Sequence, residues 1–276
     1  MKVTLAKHAG FCFGVKRALE MVLAAREHAA GPLYTLGPLI HNPQVVARLE
    51  GQGITPIASP AEAASGGTLV IPSHGCAPKV VESVQQRGLV LLDATCPFVA
   101  NAQAYTRQLA EEGYEVVILG DEGHPEVRGL LGCAGGKARL FADDESLNAR
   151  RVGLVSQTTQ TPARLEQAAG RLSTAARELR VFNTICAATS QRQAGALELA
   201  GQVGMMVVVG GRNSANTARL CEICSGVVTT HHVEVASELR PEWFSGVSSC
   251  GVTAGASTPD WIIEEVMAAL RTMPAA

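Results

Sequence analysis

The chain has 276 residues, of which 47% are hydrophobic and 17% are charged, and its formal net charge is -2. This length can bury a substantial core in one large domain or in two to three small ones. The balanced charge, without a block of like charges, argues against a protein that binds nucleic acid through a basic face. No apolar run reaches the roughly 18 residues of a membrane span.

The chain begins with "MKVTLAKHAG", which lacks the apolar stretch of a signal peptide and predicts a first strand. We therefore expect a cytoplasmic protein in which cysteines stay reduced. Eight cysteines in such a chain need another explanation, which is burial, catalysis or metal binding.

Three segments in chain order each place a cysteine between a predicted strand and a predicted helix. They read "VTLAKHAGFCFGVKRALEMVL", "LVLLDATCPFVANAQAYTRQLAEEG" and "LRVFNTICAATSQRQAGALELAGQVG". A short β-branched or Leu-rich run precedes each cysteine, and apolar residues at three- and four-residue spacing follow it. The cysteines are Cys12, Cys96 and Cys186. Their nearly equal spacing predicts three copies of one α/β unit.

Two further strands in each unit end in polar loops. After the first strand these loops read "LIHNPQVV", "GDEGHPEVRG" and "GGRNSANTARL". After the second strand they read "PSHGCAP", "SQTTQTP" and "AGASTP". Strands that alternate with helices favour parallel sheets, and ligands of such sheets bind beyond the carboxyl ends of the strands.

The predicted fold class is therefore α/β, with three similar domains arranged as a pseudo-threefold trefoil around one centre. The domains span residues 13–95, 96–185 and 186–276. The third unit lacks its final strand, and the N-terminal segment 1–12 is expected to complete that sheet. Each sheet then contributes one cysteine to the shared centre.

Three equivalent thiols suit a metal site. They could hold zinc with water in an open position, or an iron–sulfur cluster with one iron lacking a protein thiolate. A helix N-terminus favours the thiolate that ligates metal. Around Cys12 we expect Gly10 and Gly14 to allow close backbone packing, and Phe11 and Phe13 to limit water.

The other five cysteines have no counterpart in the repeat. Cys221 and Cys224 form a CxxC pair inside an apparent helix, without a second pair nearby, which favours core packing over zinc or redox chemistry. Cys76, Cys133 and Cys250 are interpreted as small buried residues.

The polar loops can bind an anion beside helix amides, although a single Ser or Asn there is more often a helix cap. No Gly-x-x-x-x-Gly-Lys segment is present, which argues against an ATP-type P-loop. Glu126, two residues from a histidine, is the natural proton donor to a leaving group. The candidate residues are His41, Asn42, His74, His124, Glu126, Thr158, Asn213, Ser214, Asn216 and Ser257.

Nearly the whole chain resembles the 4-hydroxy-3-methylbut-2-enyl diphosphate reductases, which end the methylerythritol phosphate route to isoprenoids. The resemblance rests on nine ordered motifs: "GFCFGVKRA", "GPLIHNPQVV", "PSHG", "DATCPFV", "GHPEVRG", "SQTTQT", "NTICAATSQRQ", "VVGGRNSANTARL" and "GVTAGASTPDWII". It implies a trefoil of three α/β domains and a two-electron, two-proton removal of an allylic hydroxyl. The products would be isopentenyl and dimethylallyl diphosphate, and the electron donor ferredoxin or flavodoxin.

The resemblance also implies a role for each candidate residue. Cys12, Cys96 and Cys186 would hold a [4Fe–4S] cluster. Glu126 with Thr158 would deliver the proton, assisted by His124. The diphosphate would be held by His41, His74, Ser214, Asn216 and Ser257, with His124 and Thr158 also contacting the substrate. One or more of these histidines is expected to be protonated.

Two departures from the family pattern are visible. Ala215 stands where many relatives have a second serine, so one diphosphate contact is expected to be absent or to come from a backbone amide. Cys76 follows a site histidine where an aliphatic residue is more usual.

From the residues alone, a non-catalytic iron–sulfur sensor or scaffold and a zinc hydrolase remain alternatives. A sensor needs neither the convergent polar loops nor Glu126, which favours the enzyme.

Overall fold

The computed structural model describes residues 1–29, 31–143 and 149–273. Twelve strands lie in this part of the chain: Lys2–Leu5 (β1), Leu33–Leu36 (β2), Ile54–Ile57 (β3), Thr68–Ile71 (β4), Val90–Asp93 (β5), Glu115–Leu119 (β6), Ala138–Leu140 (β7), Arg151–Ser156 (β8), Glu178–Phe182 (β9), Met205–Val209 (β10), Thr230–Val233 (β11) and Ser249–Ala254 (β12). The α-helices there are Phe13–His28 (α1), Pro43–Glu50 (α2), Pro78–Gln86 (α3), Pro97–Glu111 (α4), Pro125–Cys133 (α5), Pro162–Ala175 (α6), Ala187–Ala200 (α7), Ala215–Ser225 (α8) and Asp260–Thr272 (α9).

The strands form three parallel sheets of four strands each. The first sheet has the order β3-β2-β4-β5, the second β7-β6-β8-β9 and the third β11-β10-β12-β1. The three sheets have the same topology. Counted along the chain, the second strand lies at one edge, followed by the first, the third and the fourth, and β1 takes the fourth place in the third sheet. The predicted fold class, α/β with three similar parallel-sheet units, is confirmed.

The N-terminal strand β1 pairs with β12 in parallel, with Lys2 opposite Ser249 and Leu5 opposite Val252. The chain start therefore supplies the last strand of the third sheet. No strand lies between β12 and the C-terminal helix α9, so this sheet takes its fourth strand from the start of the chain.

Burial on both faces explains why the central strands are apolar throughout. In β10, Met205, Val207 and Val209 pack into one core cluster, and Met206 and Val208 pack into another. In β6, alternate residues likewise divide between two clusters. Such two-sided burial is typical of parallel sheets covered by helices.

Several helices begin at a proline that directly follows a site segment. α2, α4 and α5 start at Pro43, Pro97 and Pro125. Proline is favoured at the first helical position because its fixed φ suits the helix and its missing N–H would have no intrahelical partner there. These prolines fix where the chain turns from loop to helix beside the polar residues.

Contacts between Cα atoms divide the chain into two compact units. The third-sheet unit comprises Met1–Phe13, His41–Val45 and the chain from Ala187 onward. The two-sheet unit comprises Gly14–Ile40 and Val46–Cys186. The three-domain division at residues 13–95, 96–185 and 186–276 stays a proposal, and residue 276 lies outside the described residues.

No helix in the described ranges is both long and apolar enough to span a membrane.

The polar loops follow two neighbouring strands in the middle of each sheet. These strands are β2 and β4 in the first sheet, β6 and β8 in the second, and β10 and β12 in the third. The strand order reverses between these two strands, and ligands of open α/β sheets bind in the crevice at that point.

Candidate active site

Each cysteine of the repeat is held by the same backbone hydrogen bond. Its amide nitrogen donates to a carbonyl oxygen in the polar loop that follows the neighbouring strand of its sheet. The pairs are Cys12 with Ala256 at 3.1 Å, Cys96 with Ser73 at 2.9 Å, and Cys186 with Thr158 at 3.1 Å. The repeat thus fixes each thiol next to a candidate polar residue, which is Ser257, His74 or Thr158.

Each of these thiols is half-buried and directly precedes a helix, α1, α4 or α7. The turn before two of them is closed by a short polar side chain. Asp93 Oδ1 accepts from the amide of Thr95 at 2.9 Å, and Asn183 Oδ1 accepts from the amide of Ile185 at 3.2 Å. The motifs "DATC" and "NTIC" therefore encode the same turn, because Asp and Asn readily cap the backbone two residues on.

Gly10 performs a different task before Cys12. Its φ of +90° lies in the left-handed region that favours glycine. An added Cβ would also lie 3.0 Å from Ile263 Cδ1 and 3.1 Å from Asp260 Oδ1. The predicted close packing at this glycine is confirmed. The prediction that Phe13 shields Cys12 from water is wrong, because the Phe13 side chain is 63% exposed on the first turn of α1.

The remaining cysteines are mainly packing residues. Cys133, Cys224 and Cys250 are buried, and Cys221 packs against the cluster that contains Cys224. Burial raises the pKa of the Cys221 thiol to about 12 and that of Cys224 to about 11. Both thiols therefore stay protonated, as expected for packing and not for metal binding.

Cys76 departs from its prediction, since it is only half-buried and lines a groove of about 610 Å³ beside His74. Burial, with smaller contributions from Asp93 and Cys133, raises the pKa of its thiol to about 12. The thiol is therefore a poor nucleophile and a poor ligand.

Among the described residues, no group of three or more His, Cys, Asp or Glu side chains could hold a single metal ion. A cluster of several irons spreads its cysteine ligands over a larger body than one ion does. Three half-buried cysteine thiols at helix starts are the donor type that iron–sulfur centres use. Their chemistry fits such a cluster.

Glu126 is a buried acid with a partner on each oxygen. It is 2% exposed, and its Oε1 accepts the Thr158 amide at 2.7 Å while its Oε2 accepts the Thr158 hydroxyl at 2.9 Å. Burial raises the pKa of Glu126 to about 7, and the two Thr158 bonds oppose that shift. A carboxyl with this pKa holds a proton near neutral pH and can also release it.

His124 and His74 lie beside this acid. His124 caps α5, because its Nδ1 accepts the amide of Glu126 at 3.1 Å. The rings of His74 and His124 meet edge to face, with centroids 6.4 Å apart. His124 is thus the cap of α5, and the Glu126 carboxylate bonds to Thr158 instead.

In the third-sheet unit, Ser214 and Asn216 stand at the start of α8. Ser214 caps the helix, with its Oγ accepting the amide of Thr217 at 3.3 Å. Asn216 is 4% exposed, and neither its Oδ1 nor its Nδ2 has a hydrogen-bond partner in the described part of the chain. A buried amide without partners costs about 1–3 kcal/mol. Such a group is expected where a polar ligand completes the bonding.

The same helix start offers further donors. Ala215 is the first residue of α8, so its amide belongs to the first turn, whose N–H groups have no intrahelical acceptor. This amide can replace the side-chain contact that Ala215 itself lacks. Gly255 lies close by, and an added Cβ there would collide with Thr217 Oγ1. The glycine of "TAGAS" is therefore required by close packing against α8.

Ser257 and His41 are joined directly, because the Ser257 Oγ donates to the His41 carbonyl at 2.9 Å. Asn42 Oδ1 accepts the amide of Val45 at 2.9 Å and so supports the first turn of α2. Burial lowers the pKa of His41 below its usual value. The expectation that one or more of the site histidines is protonated stays a prediction.

The candidate residues thus fall into two groups, each within one compact unit. The acid group contains Cys96, Cys186, His74, His124, Glu126 and Thr158. The amide group contains Cys12, His41, Ser214, Asn216 and Ser257. Asn213 Oδ1 lies close to the Gly211 backbone in the second group.

The model of the LytB protein family matches residues 3–271 of this chain. The chain belongs to the LytB family. It is 47% identical over 272 residues to the 4-hydroxy-3-methylbut-2-enyl diphosphate reductase of Geobacter sp. (strain M21), covering 97% of this chain and 96% of that one. The protein of the same name from Pelobacter propionicus is 48% identical over 97% of this chain and 96% of its own.

Two solved structures are similar to this LytB chain. One is (E)-4-hydroxy-3-methyl-but-2-enyl diphosphate reductase, described as the terminal enzyme of the non-mevalonate pathway. It has 44% identity and a TM-score of 0.72, covering 98% of this chain and 99% of that one. The other is the E-1-hydroxy-2-methyl-but-2-enyl-4-diphosphate reductase from Plasmodium falciparum. It has 25% identity and a TM-score of 0.92, covering 99% of this chain and 89% of that one.

Sequence reasoning missed some functional candidates of this LytB chain. Gln157 is fully buried, and its Oε1 accepts the amide of Asp121 at 2.8 Å, which links two of the polar loops. The signal was available, because Gln157 directly precedes Thr158 in "SQTTQT" at a strand end. Arg17 and Arg192, discussed below, were also overlooked.

Proposed function

We propose that this chain catalyses the reductive dehydroxylation of (E)-4-hydroxy-3-methylbut-2-enyl diphosphate to isopentenyl diphosphate and dimethylallyl diphosphate. Two electrons and two protons enter, the allylic C–O bond breaks, a C–H bond forms and water leaves. The observation that carries the proposal is the buried acid Glu126, held on both oxygens by Thr158.

The cofactor of the proposal is a [4Fe–4S] cluster held by Cys12, Cys96 and Cys186. Such a cluster, when bound, supplies electrons and Lewis acidity to the substrate. The chain itself supplies three thiols whose amides are fixed to neighbouring loops. Because each amide is fixed, little conformational entropy is lost when the thiols take up a ligand.

The proton comes from Glu126 in this proposal. Its raised pKa of about 7 keeps a useful protonated fraction at neutral pH. Protonation lets the allylic oxygen leave as water instead of hydroxide, which is the poorer leaving group. Thr158 orients the acid through two hydrogen bonds, and His124 assists by fixing the start of α5.

The diphosphate is assigned to His41, His74, His124, Thr158, Ser214, Asn216 and Ser257. Neutral donors at a helix start suit this ligand, since backbone N–H groups and the helix dipole favour an anion. Asn216 supports the assignment most strongly, because a phosphate oxygen would satisfy its buried Nδ2.

A non-catalytic sensor or scaffold would use the same cysteines. It would not need a buried acid with a pKa near neutrality or a buried amide without partners. A zinc hydrolase would work without a reductant, so dependence of turnover on a reductant distinguishes it from the proposed enzyme. The electron donor, ferredoxin or flavodoxin, and the cytoplasmic location belong to the same proposal.

Anaerobic reconstitution with iron and sulfide tests the proposal. The wild-type chain should take up iron, turn brown and convert the allylic diphosphate when a reductant is present. Cys96→Ser should lose most of the iron and nearly all activity, because a structural thiolate is removed. Cys221→Ser is the matched control and should keep both, since Cys221 packs in a core.

A colourless wild-type protein that binds zinc would contradict the cluster assignment. A brown protein that binds the diphosphate without turning it over would favour the sensor.

A further inference from the structure

Two arginines lie on the helices that follow cysteines of the repeat, and each one contacts the segment that leads to another cysteine. Arg17 is on α1, which follows Cys12, and Arg192 is on α7, which follows Cys186. Arg17 Nη1 donates to the Thr95 carbonyl at 3.1 Å. Arg192 Nη2 donates to the Gly10 carbonyl at 2.7 Å.

The first contact holds the peptide bond that precedes Cys96. Its carbonyl oxygen, on Thr95, accepts from Arg17, and its N–H, on Cys96, donates to the Ser73 carbonyl at 2.9 Å. The amide of Thr95 is itself fixed by Asp93 Oδ1. Both ends of this peptide group are therefore fixed, which leaves the Cys96 thiol little freedom apart from its own χ1.

The second contact holds the loop that leads to Cys12. Arg192 is 3% exposed, and its Nη1 also lies 3.4 Å from the Ala188 carbonyl of its own helix. One turn further, Gly195 packs so closely that an added Cβ would lie 2.9 Å from the Lys7 carbonyl. α7 therefore packs along the segment from Lys7 to Gly10, and Arg192 donates to its last carbonyl.

The third helix of the repeat makes a comparable contact without an arginine. Tyr105 on α4, which follows Cys96, stacks on Phe182 with ring centroids 4.1 Å apart. Phe182 is the last residue of β9, the strand that leads to Cys186. The pattern thus recurs in all three copies of the repeat, with different chemistry in one.

We propose that Arg17 and Arg192 are positioning residues that hold Cys96 and Cys12, respectively, in place for the cluster. The inference rests on the proposed function, because it assumes that these cysteines are ligands. Arginine suits the task because its guanidinium is always charged and presents donors in a fixed plane. Partners that orient metal ligands typically change metal affinity by about 10–100-fold when mutated.

The test measures cluster release and not only activity. Wild type, Arg17→Gln, Arg17→Lys, Arg192→Gln and Arg192→Lys are reconstituted anaerobically with iron and sulfide. Iron loss to an excess chelator is then followed, together with the EPR spectrum of the reduced cluster. The melting temperature of each protein without iron is measured first, and release is followed well below it. Lys16→Gln is the matched control, because it removes the same charge from the exposed neighbour of Arg17.

We expect Arg17→Gln and Arg192→Gln to release iron about 10–100-fold faster than wild type, with a changed EPR spectrum. The lysine variants should recover part of the difference, since one cationic donor remains but the planar fork is lost. Lys16→Gln should match wild type. If Arg192→Gln does not fold, Arg192→Lys and the Arg17 pair decide the outcome.

Equal release rates for Arg17→Gln and Lys16→Gln would overturn the proposal. A lower melting temperature with unchanged release and an unchanged EPR spectrum would also overturn it, because the arginine would then be merely structural. These results differ from a failure of the proposed function, in which the wild-type chain itself takes up no cluster.

Discussion

Glu126 and Asn216 are buried to almost the same extent, at 2% and 4% exposed, but the chain treats them in opposite ways. Both oxygens of Glu126 accept hydrogen bonds from Thr158. Within the described residues, both polar atoms of the Asn216 amide have no such partner. Burial therefore does not explain the difference.

The contrast fits two kinds of task. A proton donor must keep its geometry through the reaction, so its bonds are supplied by the protein in advance. A binding group is more useful when the ligand supplies its bonds, because the ligand then relieves a desolvation penalty that the protein already carries. The first kind of site is stable before binding, and the second gains stability upon binding.

Glu126→Gln is the most direct test of the acid group, because it removes the proposed proton donor. Glutamine keeps the size and one accepting oxygen but cannot deliver a proton. We expect turnover to fall by about 10²–10⁴-fold while KM changes little. Glu122→Gln is the matched control, since Glu122 is an exposed carboxylate in the same loop. Normal turnover in a Glu126→Gln protein with a lowered melting temperature would end the proton-donor assignment.

The pH dependence of folding sharpens the same contrast. The folded-state pKa of Glu126, about 7, lies above the ordinary value of 4.5. A carboxyl with a raised pKa stabilises the fold fully below pH 4.5, and this stabilisation is lost as pH rises through 7. Relative to Glu126→Gln, wild type should lose about 3 kcal/mol of unfolding free energy across that window.

Urea denaturation of wild type and Glu126→Gln at a series of pH values measures this difference. Parallel curves for the two proteins between pH 4.5 and pH 8 would show that Glu126 does not titrate in this range.

Asn216→Leu tests the amide region, and the two measured effects should have opposite signs. Without ligand, the unfolding free energy should rise by about 1–3 kcal/mol, because a buried amide without partners is replaced by an apolar group of similar size. Affinity for the diphosphate should fall about tenfold or more. Asn101→Leu on the exposed face of α4 is the control and should change neither quantity. A destabilised Asn216→Leu protein with normal affinity would reverse the interpretation.

Ser214→Ala gives the smallest expected effect in the same region. Its Oγ caps α8, so its loss should lower the unfolding free energy by about 1 kcal/mol. Calorimetry on Ser214→Ala and Ser214→Thr checks this, since threonine also caps helices and should restore most of the loss. A fully stable alanine variant would mean that the cap contributes little to the unfolding free energy. Ser214 would then be, like Asn216, a group whose main bonds come from the ligand.

The repeat was predictable because it is written in chain order. Three cysteines between strand and helix patterns, with polar loops after the other strands, predicted the three parallel sheets and the joining of strand 1–12 to the last one. The observed turn at "DATC" and "NTIC" was also readable, since Asp and Asn two residues before the capped amide are a local signal.

Other features depend on side chains that are distant in sequence. No pattern around Phe13 indicated that its ring is exposed, and nothing in "GHPE" indicated that His124, not Glu126, caps α5. Arg17 and Arg192 look like ordinary helix residues until their partners, Thr95 and Gly10, are known. The acceptors are backbone carbonyl oxygens, which every residue has, so no residue type in the sequence indicates these contacts.

The amino-acid sequence by itself determined the α/β class, the strands that end in polar loops and the residue types at those ends, because these follow from local periodicity and chain order. The tertiary structure alone decided the raised pKa of Glu126, the absence of partners around Asn216 within the described residues, and the division into two compact units. These properties depend on desolvation and on contacts between residues far apart in the chain, and both arise only when the elements pack.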